Sequence, residues 1–351
     1  MLIHWIGRVL LILFISFLIY SVYYLNKACG GGDPLAVLGL RLNKQCIGCD
    51  LKYANLKYAN LTRADIRKAQ LDGANLSHAN LSFANLQGAS TSTRVWVSRR
   101  PADFSYANFS GANLSHTTIT SSNLSNANFS KADLRGATLW GSDLSHTNLS
   151  DADLTGAKFD KRTKLKGSII NEQTKLDPRY RLIWKIVNQG AREFNLKEID
   201  FRDVSLSGTD FRGADLEGVN FNPDYRADLI NTSFQNADLS NTNFQNMDLQ
   251  NFNFHSANLD NADLNGTNLS KANLFGANLV NTNLSHANLS NAILCFAVWE
   301  NTNLNGAIVK GARFDDDYWL SETQRRDLIE RGAIFIVHDE SKNSYTAEDC
   351  Q

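Results

Sequence analysis

Leucine falls on every fifth residue between Asn261 and Ser290: Leu264, Leu269, Leu274, Leu279, Leu284 and Leu289. On an α-helix, at about 100° per residue, each of these positions is rotated by about 140° from the last, so they form no stripe. On a flat strand an odd interval sends successive leucines to opposite faces. The interval suits a chain that turns one corner per five residues, always in the same sense. Four corners close a square coil of about twenty residues, and the next coil stacks at the β spacing of about 4.8 Å. Two residues before each leucine is a small one, as in Ala272, Ala277 and Ala287 or Thr267 and Thr282. In extended backbone both point into the coil. The residue between them, Asp263, Asn268, Asn273, Asn278, Asn283 or Asn288, points out. Each coil buries about four large side chains at roughly 1.5–3 kcal/mol apiece, and no coil buries them without neighbours.

These A-(N/D)-L-x-x tandems resemble the pentapeptide repeat family, and the pattern covers most of the chain. The resemblance implies an all-β solenoid, a right-handed quadrilateral β-helix, and a bacterial, cyanobacterial-like source. Pentad centres run from Leu51 to Leu86 (eight) and from Phe104 to Phe159 (twelve), which makes five coils. A second series runs from Leu196 to Phe221 (six) and from Leu229 to Phe314 (eighteen), which makes six. Phe109 and Phe129, Phe201 and Phe221, and Phe234 and Phe254 are each twenty residues apart, so the period stacks Phe on Phe.

Two interruptions break phase and must loop out, because a slipped register would turn polar groups inward. The predicted organisation is an anchor over 2–25, a linker over 26–45, a first solenoid over 46–165 with a loop at 87–103, a linking and capping helix within 166–195, a second solenoid over 196–317 with a loop at 222–228, and a helical cap and tail over 318–351. In the linking segment Asp177 reads as an N-cap, Pro178 as the first helical residue and Gly190 as the stop. Leu182, Ile183, Ile186 and Val187 form its apolar stripe. Near the end, Ser321 and Gln324 make a capping box and Gly332 a stop.

Val9 to Leu25 is seventeen residues without a charge, preceded by Arg8. Counted from Leu2 the stretch is long enough to span a bilayer, with Arg8 near one end and Trp5, Tyr20, Tyr23 and Tyr24 at interfacial depth. A cleaved signal wants small residues at −3 and −1; Ala28 fits and Asn26 does not. Cys29 after Ala28 is placed like a lipoprotein acceptor, with Lys27 and Asn26 as poor neighbours. An uncleaved single-pass anchor is the preferred reading. Lys27, Arg41 and Lys44 after the span, against Arg8 before it, favour a cytoplasmic body.

The formal net charge is −1, which argues against a polyelectrolyte partner for the whole chain. Residues 196–317 differ: Lys197, Arg202, Arg212, Arg226, Lys271, Lys310 and Arg313 stand against sixteen Asp and Glu, a net of −9. Asp228, Asp238, Asp248, Asp260 and Asp263 are its candidate acidic face. The loop before Phe104 carries Arg94, Trp96, Arg99 and Arg100, a candidate partner-binding tip. Five scattered cysteines set no redox compartment. Cys46 and Cys49 abut the first pentad; a CxxC can be redox-active, half a zinc site or a local staple. Their position points to a structural cap or disulfide. His78, His116, His146 and His286 fall at outward corners. No nucleophile elbow, phosphate loop or zinc-protease motif is present.

The expected function is therefore non-catalytic: a membrane-anchored, rigid protein-interaction scaffold with an unidentified protein partner, no cofactor, no metal and no small-molecule substrate. The resemblance carries one alternative, since some members of the family are acidic rods that resemble duplex DNA and bind DNA gyrase. Direct nucleic-acid binding is not expected.

Overall fold

The computed structural model describes residues 33–91, 101–192, 194–197, 199–201, 204–221, 229, 232–315, 320–336 and 350. The expected anchor over 2–25 and most of both expected loops lie outside these. Among the described residues no helix is long and apolar enough to cross a membrane. The chain forms two compact units, residues 1–182 and 183–351.

One pentad shows why the coil forms. Asp263 N donates to Thr242 O at 2.9 Å, one coil back, and Leu264 N to Asn283 O at 2.8 Å, one coil on. Gly266 N reaches Ser285 O at 2.9 Å, and Thr267 N closes the corner on Leu264 O at 3.2 Å. The fifth donor, Asn265 N, is taken by Asp263 Oδ1 at 3.1 Å. Every backbone N–H of the pentad is thus paired, as a structure with so little regular strand requires. The outward Asn or Asp is the Asx residue that builds the corner. The residue two after the leucine takes a positive φ, and Gly266 (+66°) or Asn261 (+57°) suit it. Parallel bridges then recur every twenty residues on four successive pentads, Asn243 to Asp263, Asp248 to Asn268, Asn253 to Asn273 and Asn258 to Asn278. All six leucines of Asn261–Ser290 are fully buried.

In the first unit the ladder starts at Gln45 and ends at Lys175, so it outruns the expected limit at 165. The strict five-count misses the end because two corners carry extra residues. Bridges there join Asp143 to Lys164, Asn148 to Ile169 and Asp153 to Lys175. Thr163 and Thr174 close those corners, their hydroxyls donating to Leu139 O at 3.0 Å and Leu149 O at 2.9 Å. The ladder also holds both ends of the expected loop over 87–103, since Ser90 and Asp103 each form a bridge. Ala89 and Thr91 are buried, and Ser90 bridges Thr118, so a polar centre, Thr91, hides one pentad from the count. Phe109 stacks on Phe129 at 4.7 Å and 4°.

The expected linker over 26–45 contains a helix, α1 (Pro34–Asn43), capped by Asp33 Oδ1 accepting from Leu35 N and started by Pro34. Its Val37 and Leu40 are buried against the first coil. The second helix, α2 (Pro178–Gln189), has the predicted ends: Arg179 N donates to Asp177 Oδ1 at 2.9 Å, and Gly190 has φ +83°. Its start packs on the first unit, Tyr180 tilting against Phe159 at 4.7 Å. Ile183, Ile186 and Val187, assigned to the second unit, are buried, whereas Leu182 is only partly so.

The second unit's ladder runs from Asn195 to Arg313. Its bridges widen to 23 residues between Asp210 and Ser233 and return to 20 between Ser233 and Asn253, which absorbs the interruption after Phe221. Phe201 lies on Phe221 at 5.9 Å and Phe234 on Phe254 at 5.5 Å. The last rung forms β1 (Arg313–Asp315). It is followed by α3 (Glu322–Glu330), whose capping box is the predicted Ser321–Gln324 pair. Then β2 (Ile334–Ile336) pairs parallel with β1, Phe314 opposite Phe335. The helical reading of 318–351 lacked this strand, which supplies one further rung.

Candidate functional site

Since the backbone satisfies itself, what a partner meets is the outward residues of each pentad and the two at each corner. The corner residues hold the recurring ion pairs. Asp65–Arg67, Asp133–Arg135, Asp160–Arg162 and Asp210–Arg212 repeat one Asp-x-Arg unit, with N···O distances of 2.8, 2.6, 3.0 and 2.5 Å. The hydrogen bonds from Arg67, Arg135 and Arg212 hold the Asp65, Asp133 and Asp210 carboxyls below the usual carboxylate range. For Asp160 burial works upward, and hydrogen bonds from Gly141, Arg162 and Thr163 outweigh it, so its pKa is also lowered.

The candidate acidic residues are not gathered on one side. Asp238, Asp248 and Asp263 bridge Asn258, Asn268 and Asn283 respectively, in three different columns of the coil. Each carboxylate is used locally. Asp238 accepts from Ser240 N and from Asn258 Nδ2 at 3.0 Å, Asp248 from Asn268 Nδ2 at 2.8 Å, and Asp263 from Asn283 Nδ2 at 3.1 Å. Asp260 sits at a corner and accepts from Asn281 Nδ2 at 3.2 Å. Asp228 lies outside the described residues, as do Arg94, Trp96, Arg99 and Arg100.

Cys46 and Cys49 are joined in a disulfide, their Cα atoms 5.4 Å apart. Cys46 is the buried centre of the first pentad, and its Sγ lies 3.5 Å from Ala36 O of α1. A second disulfide, Cys295–Cys350, was not foreseen, because nothing in a 55-residue separation marks two cysteines as neighbours. It lies beside Phe275 and Phe296 on the side of the second unit.

Two further features escaped the repeat reading. Tyr58, His78 and Tyr106 stack in an exposed column, both ring pairs 4.9 Å apart. The signal was present, since His78 is twenty residues after Tyr58. A cleft of ≈ 390 Å³ opens between the last coil and α3, lined by Trp299, Leu304, Leu320, Leu328 and Arg331. Among the described residues no group of three or more His, Cys, Asp or Glu is placed to hold a metal ion.

Eight copies of the pentapeptide repeats family model match this coil, over residues 45–82, 54–90, 102–136, 127–161, 192–222, 225–255, 253–291 and 282–316. The chain belongs to the pentapeptide repeat family. No curated protein is matched. Among solved structures the chain is similar to HetL, a pentapeptide repeat protein involved in heterocyst differentiation regulation from the cyanobacterium Nostoc sp. strain PCC 7120. The two are 28% identical, with 75% of this chain and 88% of that one covered and a TM-score of 0.21. QnrB1, a plasmid-mediated fluoroquinolone resistance protein, is 17% identical, with 82% and 96% covered and a TM-score of 0.17. A pentapeptide repeat protein from the Arabidopsis thaliana thylakoid lumen is 29% identical, with 42% and 86% covered and a TM-score of 0.19. Membership rests on the repeat match, not on these superpositions.

Proposed function

We propose that this chain is a membrane-anchored, non-catalytic scaffold whose two solenoids present rigid surfaces to a protein partner. The observation that carries the reading is the self-sufficiency of the pentad. With the Asx oxygen taking the corner donor, as Asp263 does for Asn265 N, the wall holds its shape. The corner side chains are then free to vary. The apolar run Val9–Leu25 supplies the tether, and the body lies on the cytoplasmic side. The loop with Arg94, Trp96, Arg99 and Arg100 is the recognition tip of the first solenoid.

Crosslinking and affinity capture of the detergent-solubilised full chain test the scaffold. One recurrent partner, lost when Trp96 and Arg99 are replaced by Ala, is expected. Repeated capture without a specific partner would overturn the reading. The gyrase-binding DNA mimic is not favoured, because Asp238, Asp248 and Asp263 point from three sides and are engaged in corner and ladder hydrogen bonds. That alternative requires the full chain to inhibit gyrase supercoiling at micromolar concentration, less so as salt is raised.

A further inference from the structure

The lysines and arginines of the first unit are concentrated at its start. Between residues 41 and 68 stand Arg41, Lys44, Lys52, Lys57, Arg63, Arg67 and Lys68 against only Asp50 and Asp65, whereas residues 69–93 hold no Lys or Arg. The pentads centred on Leu51, Leu56, Leu61 and Ile66 make one complete coil. Every corner of it carries a cation: Lys52, Lys57, Arg63, and Arg67 with Lys68. Asp65 is committed to Arg67. Arg41 and Lys44 donate to backbone carbonyls, Asn55 O at 3.0 Å and Thr62 O at 3.2 Å, which pins α1 to the coil without neutralising either charge. No ion pair among the described residues engages Lys52, Lys57, Arg63 or Lys68.

Inside this ring of cations lies α1, whose Val37 and Leu40 face the coil. Its opposite side shows Leu35 (52% exposed), partly exposed Leu38 and Leu42 (71%), with Ile47 (53%) just beyond. Positions 35, 38 and 42 form an apolar stripe at helical spacing that no described element covers. The chain outside the structure says what does. Leu25 ends the apolar run, and only the eight residues 26–33 separate it from Pro34. Fully extended they reach about 28 Å.

We propose that this end of the first unit docks on an anionic lipid bilayer, α1 lying in the headgroup region through Leu35, Leu38 and Leu42 and the ring of cations meeting lipid phosphates and carboxylates. An apolar stripe flanked by Lys and Arg is the arrangement that seats a helix in a membrane interface, and basic residues beside a span read as a site for anionic lipid. A nucleic acid or an acidic protein would use the charges but leave the leucines without a role. The proposal deepens the membrane-anchored reading: the tether holds the protein at the bilayer, and this surface sets which end of the first unit faces it.

Full chain is mixed with vesicles of phosphatidylcholine alone or with about one third phosphatidylglycerol, floated on a density gradient, and followed by hydrogen exchange over residues 34–68. Flotation with both vesicles, with α1 amides exchanging at least about tenfold more slowly on the anionic ones, supports the anchor and the docking together. Protection should vanish near 0.5 M salt. Lys52→Gln, Lys57→Gln, Arg63→Gln and Lys68→Gln should each weaken it, by about fivefold per cation, while flotation persists. Flotation with anionic vesicles only would remove the anchor and keep the docking surface. Flotation with both but equal exchange of α1 would overturn the docking proposal and leave the anchor standing, and flotation with neither would end both. The salt titration needs no variant, so a misfolded substitution cannot decide the result.

Discussion

The ring of Phe83 lies over Gly111 on the next coil, so that a Cβ built on Gly111 would stand 2.6 Å from the ring. The same overlap recurs between His116 and Gly136 and between His286 and Gly306. Side chains at the left-handed corner lean onto the coil that follows, and glycine there leaves them room. Gly111→Ala should therefore be destabilising on two counts. Its φ of +65° costs an L-residue about 1 kcal/mol, and Phe83, being exposed, must swing away at the loss of a further ~0.5–1 kcal/mol of contact. Gly156→Ala, with φ +70° and only Gly136 N at 4.0 Å, should show the first cost alone. Urea unfolding should give the larger loss for Gly111→Ala, and the difference should disappear in a Phe83→Ser background. Equal losses without that background would show that the overlap has no energetic weight.

Leu274 is fully buried, its N donating to Ile293 O at 2.8 Å. Leu274→Ala should cost about 2–5 kcal/mol, the usual range for a core leucine. Leu274→Asp adds an unpaired carboxylate to the stack and should melt the adjacent coils. Hydrogen exchange over residues 254–294 should lose its protection first, because each coil leans only on its neighbours. Retained protection there would place Leu274 outside the core.

Asp133 accepts from Arg135 Nε at 2.9 Å and from Arg135 N at 3.1 Å, and the arginine hydrogen bond lowers its pKa in the folded chain. The unfolded chain binds the proton more readily, at about pH 3.9. The stabilising contribution of Asp133 is thus fully present above that pH and is lost as pH falls through the lower folded value. Asp133→Asn keeps an oxygen for the corner N–H and removes the titration. Its stability relative to wild type should be lower at pH 7 and should approach the wild-type value near pH 2. A difference that is constant between these pH values would refute the assignment.

The repeat was legible because one position in five is nearly always a large apolar residue: Leu284 and Leu289 sit fully buried in the stack, and Thr91 is a rare polar centre among the described residues. At the ends only part was legible: the Ser321–Gln324 capping box announced α3, whereas α1 and strand β2 were not read. The helix at Pro34 is announced only by Asp33 and Pro34, a pair that equally opens a turn, and its apolar residues read as an extension of the apolar run before them. The three pentads beyond Phe159 were hidden by one or two extra residues at corners that Thr163 and Thr174 close. Of the candidate surfaces, Asp238, Asp248 and Asp263 looked related because composition has no azimuth; only the count of twenty assigns each to its own side. The pairing of Cys295 with Cys350 depends on where the last residues return, which no local pattern encodes.

That pairing makes the last prediction. Cys350 is buried beside Cys295, and its carbonyl accepts from Arg313 Nη1 at 3.3 Å. The two cysteines are 55 residues apart and enclose α3 and both strands of the C-terminal cap. Closing a loop of that length lowers the entropy of the unfolded chain by an amount worth roughly 4 kcal/mol at most, less any strain in the fold. Cys350→Ser should therefore lower the unfolding midpoint of the second unit and leave that of the first unchanged. It should also uncover Phe275 and Phe296, which pack beside the bridge. Mild reduction of wild type should reproduce the shift, and reduction of Cys350→Ser should add nothing to it. An unchanged midpoint in both experiments would show that β2, paired to β1, holds the cap without help from the disulfide.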